Sequence, residues 1–128
     1  MRVLIINDKP PKDVAPGTFF KHPNAEKRLL RWLEILGVKD FDLIRRTDKL
    51  FSPLAQTAES RSWPILALGY DAAVSLRALG LYNFYHLPHP AGRNRMLSDR
   101  DLIDRELRLA KYYINSLDAR RLHLTDTY

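Results

Sequence analysis

The chain of 128 residues contains no cysteine. Disulfides, cysteine-ligated zinc and iron–sulfur clusters are thereby excluded, a usage that fits a reducing interior. Histidine is sparse as well: His22, His86, His89 and His123 are scattered, and none stands with a carboxylate at metal-ligand spacing on an obvious helix. No metal and no cofactor is therefore expected. Long apolar runs are missing, and the opening "MRVLIIND" is too short a stretch for a signal peptide or a membrane span. A soluble, intracellular, cytoplasmic protein with no membrane partner is the expectation. No repeat, linker or low-complexity segment marks a second domain, and a chain of this length can bury about two-thirds of its unfolded surface in one. Acidic residues are in deficit: the formal charge is +6 and the isoelectric point about 9.8. Between Asp71 and Asp99 there is no acidic residue at all, while Arg77, Arg93 and Arg95 fall in that window. Such a balance suits a polyanionic partner, and it also suits a merely solvated basic face.

What is present alternates between short apolar runs and helical periodicity. "RVLII" at residues 2–6 reads as a buried first strand, and the following "NDKPPKDVAPG" is dense in turn formers and must be a loop. Asn24 can cap a helix with Leu29, Leu30, Leu33 and Leu36 on one face, Trp32 on the edge of that face and Gly37 as its stop. "FDLIRR" at 41–46 reads as a second strand, a short helix is expected around 54–59, and "PILALG" at 64–69 is a further apolar run. "YDAAVSLRALG" predicts a compact helix with Ala73, Leu76 and Leu79 inward and Gly80 at its end, and "YNFYHL" at 82–87 the last strand. Ser98 with Asp101 has the form of a capping box ahead of an amphipathic helix carrying Leu102, Ile103, Leu107, Ala110, Ile114 and Leu117, with a polar tail from Asp118.

Strands alternating with helices predict a three-layer α/β/α domain with a short, mostly parallel four-stranded sheet over residues 1–128. In such a sheet ligands sit at the carboxyl ends of the strands. Two loops leave strand ends with polar cargo, "NDKPPKD" after the first and "PHPAGRNR" after the last, and both can reach one cleft. The second loop can be a plain turn, or it can aim a histidine and two guanidinium groups at a ligand.

Taken in order, "IINDKPP", "PGTFFKHPNAEKRLLRWLEILGV", "ILALGYDAAVSLRALGL" and "HPAGRNR" resemble a small, divergent member of the uracil-DNA glycosylase superfamily, over most of the chain. The last two pieces are the specific ones, because a His-Pro-small-Gly sequence between a strand and a long helix matches the family's motif loop. The resemblance implies hydrolytic removal of uracil or another modified base from DNA, with the target nucleotide turned out of the stack into a pocket. Such chemistry needs a hydrogen-bond donor for a base carbonyl, a flat apolar floor, a polar group that places water, and cations for phosphates.

The family's motif then assigns roles residue by residue. His89 matches the histidine that stabilises charge developing on the base, against the plainer reading of a ring that caps the turn. His86, three residues earlier, is read as a buried or supporting histidine. Phe20 aligns with the stacking aromatic, with Phe19 beside it as the alternative. Asp8 matches the catalytic or water-positioning polar residue, or else forms a local turn. Asn7 can itself place a water or contact the base, and Lys9 can touch a phosphate or neutralise Asp8. Gly92, the motif glycine, can let the loop approach the nucleic acid or simply supply a positive φ, and Arg93, Asn94 and Arg95 follow it where the family holds the DNA backbone, so salt-sensitive phosphate contacts are expected, against the plainer reading of solvated arginines. The chain departs from the pattern at Asn7, Lys9 and Pro11, and "FDLIRRTDK" offers Arg45, Arg46 and Thr47 where an asparagine usually reads the base. Two other readings stay open: a non-catalytic nucleic-acid binder, and a hydrolase acting on free nucleotides. The expected partner is DNA, with the single-stranded form one option, and the expected state is a monomer.

Overall fold

A computed structural model describes residues 2–8, 23–91 and 95–126. Its elements run β1 (Arg2–Asn7), α1 (Pro23–Leu36), β2 (Asp40–Arg45), α2 (Phe51–Ser60), β3 (Ile65–Leu68), α3 (Tyr70–Ala78), β4 (Tyr85–Leu87), a short 3-10 turn (Arg95–Ser98) and α4 (Arg100–Asp126). The strands form one four-stranded sheet in the order β2-β1-β3-β4, and every pair is parallel. Successive residues of β1 and β3 point to opposite faces, and both faces are covered. Val3, Ile5, Leu66 and Leu68 pack against α1 and α4. Leu4, Ile6, Ile65 and Ala67 pack against α2 and α3. A strand buried on both sides cannot alternate polar with apolar residues, which is why "RVLII" and "ILAL" read as unbroken apolar runs. No helix among the described residues is long and apolar enough to cross a membrane.

Several element boundaries differ from the sequence expectation. α1 starts at Pro23, a residue suited to a helix's first turn, so Asn24 lies inside the helix rather than capping it. Its inward face carries Leu29, Trp32, Leu33 and Leu36, whereas Leu30 is exposed. Trp32 is thus in the core and not at its edge, because α4 covers that side of α1. β4 is only three residues long. Upstream of it the Leu81 N–H bonds to Leu76 at the end of α3, and the Asn83 carbonyl accepts the Tyr113 hydroxyl, so neither is available to a ladder. That same hydroxyl accepts the Ile65 N–H and so ties α4 to the start of β3.

The cap of α4 is Asp99, not Ser98: the Asp99 carboxylate accepts the Leu102 N–H at 3.1 Å, while Ser98 closes the preceding 3-10 turn. The helix continues to Asp126, through the stretch expected to be a polar tail.

The order of the strands locates the switch point of the sheet. From β1 the chain crosses one way to β2 and then the other way to β3, so the carboxyl ends of β1 and β3 flank the switch point where a parallel sheet opens a cleft.

Candidate functional site

Each strand delivers a residue of the candidate site at or just past its carboxyl end. β1 ends in Asn7 and is followed by Asp8, β2 by Arg46, β3 by Gly69, and β4, two residues on, by His89. The Arg46 N–H bonds to the Asn7 carbonyl at 2.8 Å, and the Gly69 N–H to the Leu87 carbonyl at 2.9 Å. Backbone pairing therefore continues past the strand ends and fixes these positions relative to one another.

His89 is held at both ring nitrogens. The Ala91 N–H donates to Nδ1 at 3.0 Å, so Nδ1 must present a lone pair. The proton of the neutral ring then lies on Nε2, which donates to the Asn7 Oδ1 at 3.0 Å. Burial pushes the imidazole's pKa below its ordinary value, with the negative charge of Asp8 pulling weakly the other way. Geometry and electrostatics agree on an uncharged ring with its donor at Nε2. Asn7 is 2% exposed, the one polar side chain among the described residues that is fully buried. A buried amide needs partners, and His89 is one of them.

Two further contacts set the ring's place. Gly69 has φ +89° and ψ 174°, a backbone region that side chains almost never enter. A Cβ there would lie 3.2 Å from the His89 Cβ and 3.5 Å from its Cδ2. The glycine thus lets the histidine lie directly against the turn from β3 to α3. On the other side of the loop, the Arg28 guanidinium donates to the Pro90 carbonyl at 2.7 Å and pins the motif to α1. Asp8 is engaged in turn by Arg46, whose Nε donates to Oδ1 at 2.6 Å. This pair is about two-thirds buried, so it orients the carboxylate more firmly than a surface pair would.

Of the residues singled out from sequence, Asn7, Asp8 and His89 are brought to one end of the sheet. Lys9, Phe19, Phe20, Gly92, Arg93 and Asn94 lie outside the described residues, as does Pro11, and of Arg95 only the backbone is described, at the start of the 3-10 turn. His86 is exposed on β4, an edge strand of the sheet, and not buried. Sequence reasoning did not find Gly69 or Arg28, and it treated Arg46 as a departure rather than a partner of Asp8. Gly69 carried a usable signal, a glycine between an apolar strand and a helix at a carboxyl end. Arg28 carried none, since its partner is 62 residues away.

The arrangement offers an uncharged hydrogen-bond donor backed by a buried amide, next to a carboxylate steadied by a guanidinium. It can stabilise negative charge forming at one point of a ligand and positive charge forming at another. Comparison of the chain with protein-family models, with curated proteins and with solved structures finds no match in any of the three.

Proposed function

We propose that this protein removes uracil or another modified base from DNA by hydrolysing the N-glycosidic bond of a nucleotide turned out into the crevice between β1 and β3, on a uracil-DNA glycosylase-like frame. The observation that carries the reading is the neutral His89 with its proton fixed on Nε2 at the switch point of the sheet. A donor that is already uncharged meets a base carbonyl without giving up a proton, and it gains strength as the carbonyl becomes an oxyanion.

In this scheme the base carbonyl replaces the Asn7 Oδ1 as the acceptor of the His89 Nε2–H. Asn7 then turns its amide to the base edge, a function the end of β2 does not supply with Arg45, Arg46 and Thr47. As the C–N bond breaks, its electron pair moves onto the base and the sugar takes up positive charge. Asp8 stabilises that charge and places water. The water oxygen bonds to C1′, and its proton passes to the departing base.

The test is incubation with oligonucleotides carrying uracil or hydroxymethyluracil, single- and double-stranded, followed by alkali cleavage at abasic sites. Strand breaks that vanish in His89→Ala and fall strongly in Asp8→Asn are expected. If the wild-type protein gives no breaks on any of these yet binds the strands in a salt-sensitive way, catalysis is refuted and a binder remains. Release of base or phosphate from free nucleotides with no action on DNA would move the chemistry to a small-molecule substrate.

A further inference from the structure

We infer that a basic groove between α1 and α4 carries a single-stranded DNA segment away from the catalytic crevice, a role that rests on the DNA reading above. Two adjoining cavities of about 330 and 380 Å³ lie along these helices and share Ile35, Asp104 and Leu107. The first opens beside Arg28, Arg31 and Arg100, and the second beside Arg108 and Lys111. Arg28 also donates to the Pro90 carbonyl, so the groove begins at the loop that holds His89. From Arg100 to Lys111 the cations follow α4 for about 16 Å at the helical rise, several nucleotides of an extended strand.

Among the described residues no ion pair engages Arg31, Arg100, Arg108 or Lys111. Among the described residues Asp104 is the one carboxylate lining the groove, and it is not within pairing distance of any of them. Four cations on the two rims, Arg31 on α1 and Arg100, Arg108 and Lys111 on α4, raise the local concentration of a polyanion and bind it with release of its counterions. Between the two rims the accessible apolar surface comes from Ile35, Leu97 and Ile103, over the buried Trp32 and Leu107, and bases can rest on it while the phosphates meet the rims.

The experiment uses the whole chain, fluorescence anisotropy and unmodified oligothymidylates of about 4 and about 20 nucleotides, lengths that bracket the usual footprint of a single-strand site. The variant is Arg31→Glu with Arg108→Glu and Lys111→Glu, three exposed positions away from His89, Asn7 and Asp8. The longer strand should bind at least about tenfold more weakly, with a salt slope smaller by about 2, because each single-strand phosphate contact contributes about 0.7. Binding of the short strand and base release from a short uracil oligonucleotide should not change. The matching Arg31→Lys and Arg108→Lys variant should keep most of the affinity, and an unchanged circular dichroism spectrum and melting temperature show that the fold is intact. Unchanged affinity and salt slope for the long strand overturn the groove, as does a loss confined to duplex DNA. A wild type that releases no base but binds the long strand through these three residues keeps the groove and refutes catalysis instead.

Discussion

Replacing Gly69 by alanine tests whether the turn from β3 to α3 seats the histidine. Two costs add. An alanine at φ +89°, ψ 174° sits in a region essentially reserved for glycine, worth about 1–3 kcal/mol. Its Cβ would also stand 3.2 Å from the His89 Cβ. The ring cannot simply swing aside, because Nδ1 is bonded to the Ala91 N–H and Nε2 to Asn7. Crowding of this kind in a packed site costs about 1 kcal/mol or more. A total of about 2–4 kcal/mol, set against an unfolding entropy near 2.1 cal/mol/K per residue for this length, lowers the melting temperature by roughly 7–15 °C. Base release should fall further than stability does, by at least about fivefold, with a ceiling near the 100-fold that a full ångström of misplacement can bring. Gly80→Ala is the control. It too has positive φ, +79°, but a Cβ there meets nothing within 4 Å. It should cost only the backbone strain, about 1 kcal/mol, and leave the His89 ring signals in place. If Gly69→Ala melts like Gly80→Ala and leaves the His89 resonances unmoved, the seating argument is refuted.

Asn7→Ala leaves the buried His89 N–H without this acceptor and should destabilise by about 1–3 kcal/mol. In a urea double-mutant cycle with His89→Ala the two changes should be coupled by about 1 kcal/mol, and additivity within experimental error would refute the contact. Because the folded His89 takes up its proton at lower pH than the unfolded chain, stability is unaffected well above pH 6.5 and declines as pH falls from there through the folded value. His86, pushed the same way by desolvation and by Arg77, adds to this decline, so the measurement compares wild type with His89→Gln, whose stability curve should be flatter. Arg46→Ala removes a partly screened ion pair and should cost about 1 kcal/mol in stability, with a larger proportional loss of base release as the Asp8 carboxylate loses its orientation. A melting curve and the alkali assay on one preparation separate the two effects.

The sheet was legible where burial on both faces left only apolar residues to choose from, as in Val3–Ile6 and Ile65–Leu68. Helix boundaries were less so. Asp99 and Ser98 are both good caps, and only the position of the 3-10 turn decides between them. β4 looked longer than it is because nothing local announces that the Asn83 carbonyl is taken by a tyrosine 30 residues on. The site divides along the same line. "HPAG" and "ND" were visible as polar residues at strand ends, each from its own neighbourhood. Their meeting was not, since Asn7 and His89 are separated by 82 residues and are joined only through β3, which lies between their strands.

The identity of residue 7 decides what kind of histidine His89 is. A carboxylate in its place would accept the same Nε2–H bond but would favour the imidazolium, making His89 an acid that must be recharged at each turnover. The asparagine accepts the bond without adding charge, so burial prevails and the ring stays neutral. The negative charge is instead displaced by one residue to Asp8, where Arg46 bonds it and weakens its field at the histidine. A carboxylate and an uncharged imidazole are thereby kept at one end of the sheet, each in the state that the proposed base departure would require. Asn7→Asp should reverse this: the His89 pKa would rise, and base release would come to depend on pH across the range in which the wild type does not respond.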